Sequence, residues 1–281
     1  MIIYKKVIDI SIFLKNKRRS KQDIGFVPTM GALHKGHLSL LENSLKENSL
    51  TVCSIFVNPT QFNDKADFEK YPTTIEDDIA ALEAVGCDVL FLPSVEEIYP
   101  DNLSPEPYDL GSLETLLEGK YRSGHFQGVC QVVDRLLDIV QPTTIYLGQK
   151  DYQQCMVIQK LIQLKNSNTT VFICPTAREI TGLAMSSRNI RLSQHGKEAA
   201  VAIYNSLLFI KGNSNYLSLA DLKNKVETKL LQSGFDSIDY VEIADGTTLE
   251  SISDNTSSSS KVALIAAFIE GVRLIDNMVI S

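Results

Sequence analysis

Short apolar runs alternate with amphipathic stretches through the first part of the chain. Ile24-Gly-Phe-Val-Pro28 reads as a strand, followed by a helical pattern over about 36–46. Residues 50–57 are apolar and β-branched almost throughout, as in a strand buried on both faces, and the polar stretch 58–63 ends them. Apolar positions Ile75, Ile79, Leu82 and Val85 predict a helix over 74–85, closed by Gly86. Residues 87–93 read as a strand, 129–140 as a helix, 144–147 as a strand, 152–166 as a helix and 170–174 as a last strand. Strands alternating with helices predict an α/β fold, a parallel sheet with helices on both faces.

After about residue 175 the texture changes. Helical patterns over 193–211 and 218–233 precede strand-like pieces at 238–243, 261–268 and 272–274. The serine tract 257–260 reads as an exposed connector. The expected organisation is a domain over 1–174 and a smaller α+β domain over 175–281. In open parallel sheets ligands lie at the carboxyl ends of the strands. The polar loops 28–37, 58–63 and 148–151 each follow a strand, so they are expected to converge on one crevice.

Composition narrows the function classes. The 281 residues are 44% hydrophobic and 22% charged, as in an ordinary globular protein. Lys plus Arg number 27 against 34 Asp plus Glu, a net charge of −7, which argues against a general nucleic-acid surface. No apolar run approaches the ~20 residues of a membrane span. The basic cluster Lys15, Lys17, Arg18, Arg19 and Lys21 follows the apolar residues, the reverse of a secretory signal, so a cytoplasmic location is expected. Five scattered cysteines without a C-x-x-C pair read as buried, reduced thiols.

Phe26-Val-Pro-Thr-Met-Gly-Ala-Leu-His-Lys-Gly-His37 carries the first chemistry. It reads as a strand end, a glycine turn and a helix start, with His34 and His37 on one helix face. A helix start offers free N–H groups and partial positive charge to a phosphate. Taken alone, the stretch fits a nucleotide phosphate site or a tight turn with two incidental surface histidines. Lys150, in Gly148-Gln-Lys-Asp151, can place a cation on phosphates, or be a solvated surface lysine; the preceding strand favours the site. Asp77 and Asp78 are either metal-side acids or helix N-terminal acids favoured by the dipole.

Four motifs then agree with one another: Pro28-Thr-Met-Gly-Ala-Leu-His-Lys-Gly-His37, Phe56-Val-Asn-Pro-Thr-Gln-Phe62, Gly124-His-Phe-Gln-Gly-Val129 and Met185-Ser-Ser-Arg-Asn189. With Tyr71-Pro and Gly148-Gln-Lys-Asp-Tyr-Gln-Gln154, they resemble the pantothenate synthetase (pantoate–β-alanine ligase) family, in order over nearly the whole chain. The H-x-G-H element alone is shared with adenylyl- and cytidylyltransferases of a wider superfamily, the alternative reading. The resemblance implies a Rossmann-like first domain and a smaller C-terminal domain that closes over the site. It implies an ATP-dependent ligase that makes pantothenate, AMP and pyrophosphate through a pantoyl-adenylate, requires Mg2+, and is a cytoplasmic homodimer.

Residue by residue, the resemblance places ATP against Met30, Gly31, Ala32, Leu33, His34, Lys35, Gly36, His37, Gly148, Gln149, Lys150, Asp151, Ala177, Met185, Ser186, Ser187 and Arg188. His37 takes a proton-donor role, with His34 and Lys150 also catalytic. Gln61 and Gln154 are assigned to pantoate, with Met30, Phe62 and Val132 as its apolar wall; helix-core packing is the alternative for Val132. Asp77 and Asp78 would stand near Mg2+ through water, while Ala81, at a position that contributes to the metal in some relatives, cannot coordinate. The family's usual Arg is Thr73 here and its usual Pro is Ser123, which loosens a turn. His125 is expected to be structural.

Overall fold

The structure, a computed structural model, describes residues 1–62, 68, 71–100, 107–252 and 260–280. Among them, six parallel strands form the main sheet: β1 (Ile2–Tyr4), β2 (Ile24–Thr29), β3 (Leu50–Ile55), β4 (Val89–Phe91), β5 (Thr144–Gly148) and β6 (Thr170–Cys174). Their spatial order is β1-β4-β3-β2-β5-β6. The chain builds outward from β2 in one direction through β3 and β4, then returns to add β5 and β6 on the other side. Strand order therefore reverses between β2 and β5, the kind of position where open parallel sheets hold ligands.

Alternation along the central strands supplies both faces of the sheet. Ile24, Phe26, Val52 and Ile145 join one core with α1 (Val7–Arg19), α6 (His125–Val140) and α7 (Tyr152–Leu164). Val27, Cys53, Leu90 and Tyr146 join the opposite core with α2 (Lys35–Glu47) and α3 (Ile75–Val85). The five cysteines are free and buried. Two short helices, α4 (Val95–Ile98) and α5 (Leu117–Tyr121), lie in the connection between β4 and α6.

The amino-terminal strand and helix were not expected. β1 is a three-residue edge strand with Ile2 and Ile3 partly exposed, too short to show a period. In α1 the fully buried positions are Ile10 and Leu14, while Ile8 and Ile12 face outward, which blurs its amphipathic stripe. Helix α6 starts at His125, four residues before the apolar pattern becomes regular. The serine tract 257–259 lies outside the described residues, and Ser260 is exposed.

The carboxyl-terminal part forms an antiparallel sheet of β7 (Ser237–Asp245), β8 (Lys261–Ile269) and β9 (Val272–Val279). One face packs under α8 (Gln194–Asn213) and α9 (Leu219–Gln232), through Val241, Ile243 and Ile265. The other face joins the first core through Ala244, Val262 and Leu264. Strand β9 continues well past residue 274, because the polar residues Asp276 and Asn277 sit inside it and are buried.

An ion-pair network ties the two sheets together. Arg273 on β9 bonds both oxygens of Glu118 on α5, each at 2.7 Å, and Asp239 at 2.7 Å. Tyr240 adds a hydrogen bond to Glu118 at 2.7 Å. Burial alone would raise the Glu118 pKa, but Arg273, Tyr240 and Arg122 outweigh it and hold the carboxyl below its ordinary value. A lowered carboxyl pKa contributes stability that is present above the ordinary value and lost as pH falls through the folded one. Arg273→Leu is thus expected to destabilise the protein by ~3 kcal/mol at neutral pH, since it strands a buried carboxylate. In denaturant titrations that difference should shrink below pH ~4; a difference unchanged by pH would show that the charge pair is not its source.

Candidate active site

Strand β2 ends in a turn that ordinary side chains disfavour. Gly31 has φ 80° and Ala32 φ 48°, both left-handed. Asp78 of α3 holds this turn, its carboxylate accepting from Ala32 N at 3.0 Å and Leu33 N at 2.7 Å. Helix α2 then starts under a reciprocal cap. His34 Nδ1 accepts from Gly36 N at 3.1 Å, and His37 Nδ1 accepts from His34 N at 3.3 Å. With Nδ1 the acceptor in each ring, the neutral imidazole proton sits on Nε2, leaving both Nε2–H groups to donate. Burial, then the neighbouring His34 and Lys150, drive the His37 pKa down to about 3 against the pull of Asp151. Burial and Lys150 lower His34 as well. At neutral pH His37 is therefore an uncharged hydrogen-bond donor rather than a cationic acid.

Across the reversal point, β5 delivers Gly148 and a single 3-10 turn, Gln149–Asp151. Lys150 Nζ stands 3.3 Å from Asp151 Oδ1. Burial would raise the Asp151 pKa, but Lys150, Arg188 and Arg122 together hold it below the ordinary value.

The loop after β3 forms a 3-10 turn, Pro59–Gln61, anchored by Asn58, which is 1% exposed. Asn58 donates to Gly128 O at 3.0 Å and accepts from Tyr99 at 2.9 Å. A Cβ at Gly128 would lie 2.3 Å from Thr60 O, so the motif glycine is the condition for this turn to rest on α6. His125 donates from Nδ1 to Gln61 O at 2.8 Å, the structural role expected of it, while its ring also faces the crevice. The Gln61 amide donates to the Met30 sulfur.

A crevice of about 230 Å³ runs between these loops. Its lining gathers Met30, His34, Gly36, His37, Gln61, Phe62, Val132, Gly148, Lys150, Asp151, Gln154, Ala177, Met185, Ser186, Ser187 and Arg188. Val132 serves twice, in the core and on the crevice wall. The segment 185–188 comes across from the second half of the chain. Met185 N donates to Ala177 O at 2.9 Å, and Ser186 Oγ accepts from Arg188 N at 3.3 Å. Tyr71 lines the same crevice; burial raises its pKa, and the neighbouring Ser187 and Arg188 pull it back.

Other expected residues stand elsewhere. Gly31, Ala32, Leu33 and Lys35 do not line the crevice; they shape the turn and helix start behind it. Gln149 turns away and bonds Asn277 on β9 at 3.2 Å. Asp77 is exposed on α3, and Asp78 is 2% exposed with both oxygens occupied by the loop amides. Neither lines the crevice. Its wall offers histidines, hydroxyls and cations, with Asp151 as its carboxylate, so the described residues make no cage that fits a protein-held Mg2+.

The wall also holds residues that the sequence did not assign to it, Arg122 and Thr176 among them. Arg122 stood in plain view in the Arg122-Ser-Gly-His-Phe126 motif. Thr176 carried no signal; its Oγ1 is buried in the wall without a hydrogen-bond partner.

The model of the pantoate-beta-alanine ligase family matches residues 2–279. The chain belongs to this family. The enzyme is 43% identical over 282 residues to the pantothenate synthetase of Cytophaga hutchinsonii, covering 100% of this chain and 99% of that one. It is 44% identical over 279 residues to that of Azobacteroides pseudotrichonymphae, with 99% of each covered. Pantothenate synthetase from Thermus thermophilus superposes with a TM-score of 0.91 at 38% identity, over 99% of both chains. Pantoate-beta-alanine ligase from Francisella tularensis, solved with beta-gamma ATP and beta-alanine, gives 0.80 at 39% identity, over 99% of this chain and 97% of that one. The ligase has no described helix long and apolar enough to cross a membrane.

The tautomers are open to measurement. With 15N-labelled ligase, His37 should hold the neutral, Nε2-protonated form with shifts unchanged from pH 5 to pH 8. A midpoint near 6.5 would contradict the caps.

Proposed function

We propose that the ligase condenses pantoate with β-alanine in this one crevice, in two steps, with Mg2+ entering as part of the ATP substrate. The observation that carries the residue roles is the facing of two donor sets across the β2–β5 reversal. His34 and His37 present Nε2–H from one side and Lys150 a cation from the other, with Gln61 and Gln154 along the same wall.

A carboxylate is a poor electrophile, so the first step is attack by the pantoate carboxylate on the ATP α-phosphate, with pyrophosphate leaving. Negative charge grows on the phosphate oxygens and the leaving group. His34, His37, Lys150, Ser186, Ser187 and Arg188 supply preorganised donors and cations for it, and such groups lower a barrier most where they need no rearrangement. Neutral imidazoles suit this task, because they donate without first capturing a proton. Asp151 can accept from the ribose hydroxyls, and Ala177 and Met185 flank the nucleotide side. In the second step the β-alanine amine attacks the acyl carbonyl of the mixed anhydride and AMP leaves.

Gln61 and Gln154 are amides that can both donate and accept. They can hold pantoate's hydroxyls and carboxylate without a cation to blunt the attacking oxygen. Met30, Phe62 and Val132 face the gem-dimethyl group. The same reading takes 1–174 as the substrate-binding domain and 175–281 as the lid that carries segment 185–188. From the family resemblance it takes the chain to be a cytoplasmic homodimer.

With ATP, Mg2+, pantoate and β-alanine, the protein should release AMP only when pantoate is present. AMP formed equally well without pantoate would sink the assignment. Lys150→Ala and His37→Ala should each lower the adenylation rate by about 10²- to 10³-fold, the usual cost of one preorganised donor. His37→Asn, whose amide oxygen can keep the cap but lacks the Nε2–H, should fall nearly as far as alanine while recovering thermal stability. Full activity in His37→Asn would show that the cap, and not the donor, is what His37 supplies.

A further inference from the structure

Asp276 and Asn277 interrupt the apolar pattern of β9, yet they are only 5% and 2% exposed. Buried polar side chains in a strand persist when they are fully bonded. Asn277 donates from Nδ2 to Gln149 O and to Lys150 O, each at 2.8 Å. Its Oδ1 accepts from Gln149 Nε2 at 3.2 Å. Asp276 takes the Arg178 guanidinium in two bonds, at 2.6 and 3.0 Å. Arg178 in turn donates to Gly182 O at 3.1 Å and lies 4.2 Å over the Tyr204 ring.

The two carbonyls held by Asn277 belong to the peptide planes on either side of the Lys150 Cα. Holding both planes sets φ and ψ at Lys150, and so the direction in which its side chain leaves the backbone. A lysine carries its charge on a flexible four-carbon stem, so an error at Cα grows along the stem. The neighbouring Asp276 holds Arg178, at the base of the loop that runs on to segment 185–188. Successive residues of one strand thus hold the Lys150 turn and the base of the Arg188 loop.

We propose that Asn277 is a positioning residue for adenylation, acting through Lys150 by clamping the two peptides that flank it. Its amide touches no substrate. It sets where the Lys150 ammonium stands. The inference rests on the assignment of Lys150 to the phosphates, and the test separates the two.

Pantoate-dependent ATP–pyrophosphate exchange is measured for the full chain as Asn277→Ser, Asn277→Asp, Lys150→Ala and each Asn277 variant combined with Lys150→Ala, with thermal midpoints alongside. Serine shortens the side chain without adding charge; aspartate keeps its shape but turns an oxygen toward two carbonyls. Each Asn277 variant that melts cooperatively should lower kcat by about 10- to 100-fold, with the pantoate KM within about twofold, as for other supporting residues. In the Lys150→Ala background the same changes should cost less than about twofold, because their effect passes through the missing side chain. Losses that multiply in the double variants, or a wild-type rate in the stable Asn277 variants, would overturn the proposal. A wild-type rate in Lys150→Ala would instead overturn the phosphate assignment, and the inference with it.

Discussion

One buried carboxylate sets the geometry at the centre of this ligase. Asp78 accepts from Ala32 N and Leu33 N, and so holds a turn in which two successive residues have positive φ. A non-glycine residue in that region costs of the order of 1–3 kcal/mol, and persists only where its surroundings hold it. The turn delivers the chain to α2 at the angle that lets His34 and His37 cap the helix reciprocally. The cap settles which nitrogen of each ring carries the proton, and burial of the rings keeps His37 uncharged.

The sheet supplies the second constraint. β2 pairs with β5 through Gly25 and Phe26 opposite Thr144 and Ile145, strands far apart in sequence. At their carboxyl ends the chain departs in opposite directions, so the histidine turn and the Lys150 turn face each other with a gap between them. The gap is polar where both turns meet it and apolar where α6 backs it with Val129, Val132 and Val133. The proposed seating of pantoate, with its charged end and dimethyl-substituted carbon, follows that division.

The carboxyl-terminal sheet is bound to the first by buried polar bonds rather than by apolar packing alone. From β9, Arg273 reaches Glu118 and Asn277 reaches the Lys150 turn, while Asp276 on the same strand holds Arg178, just past β6. Such bonds are directional, and therefore specify one arrangement of the two sheets more sharply than apolar contact would. Through them the strand farthest along the chain takes part in a site built mostly from its first two thirds.

Much of this was legible in the residues. The periodicities predicted the parallel strands β2 to β6, the four long helices α2, α3, α6 and α7 between them and the convergence of three polar loops, because a strand buried on both faces and an amphipathic helix leave unmistakable patterns. The motifs identified the family, since they recur together and in order over nearly the whole chain. Local pattern could not show β1, which is shorter than one repeat of any period, or the full length of β9, whose polar residues are bonded to partners more than ninety residues away. Nor could it divide the first motif, where His34 and His37 reach the crevice while Gly31, Ala32, Leu33 and Lys35 support them from behind. The opening stretch by itself determined a strand, a turn and a helix start carrying two histidines. That Asp78 would be used to hold the turn, that the imidazoles would be neutral, and that Lys150 would face them were decided by the fold, because each depends on groups brought together from distant parts of the chain.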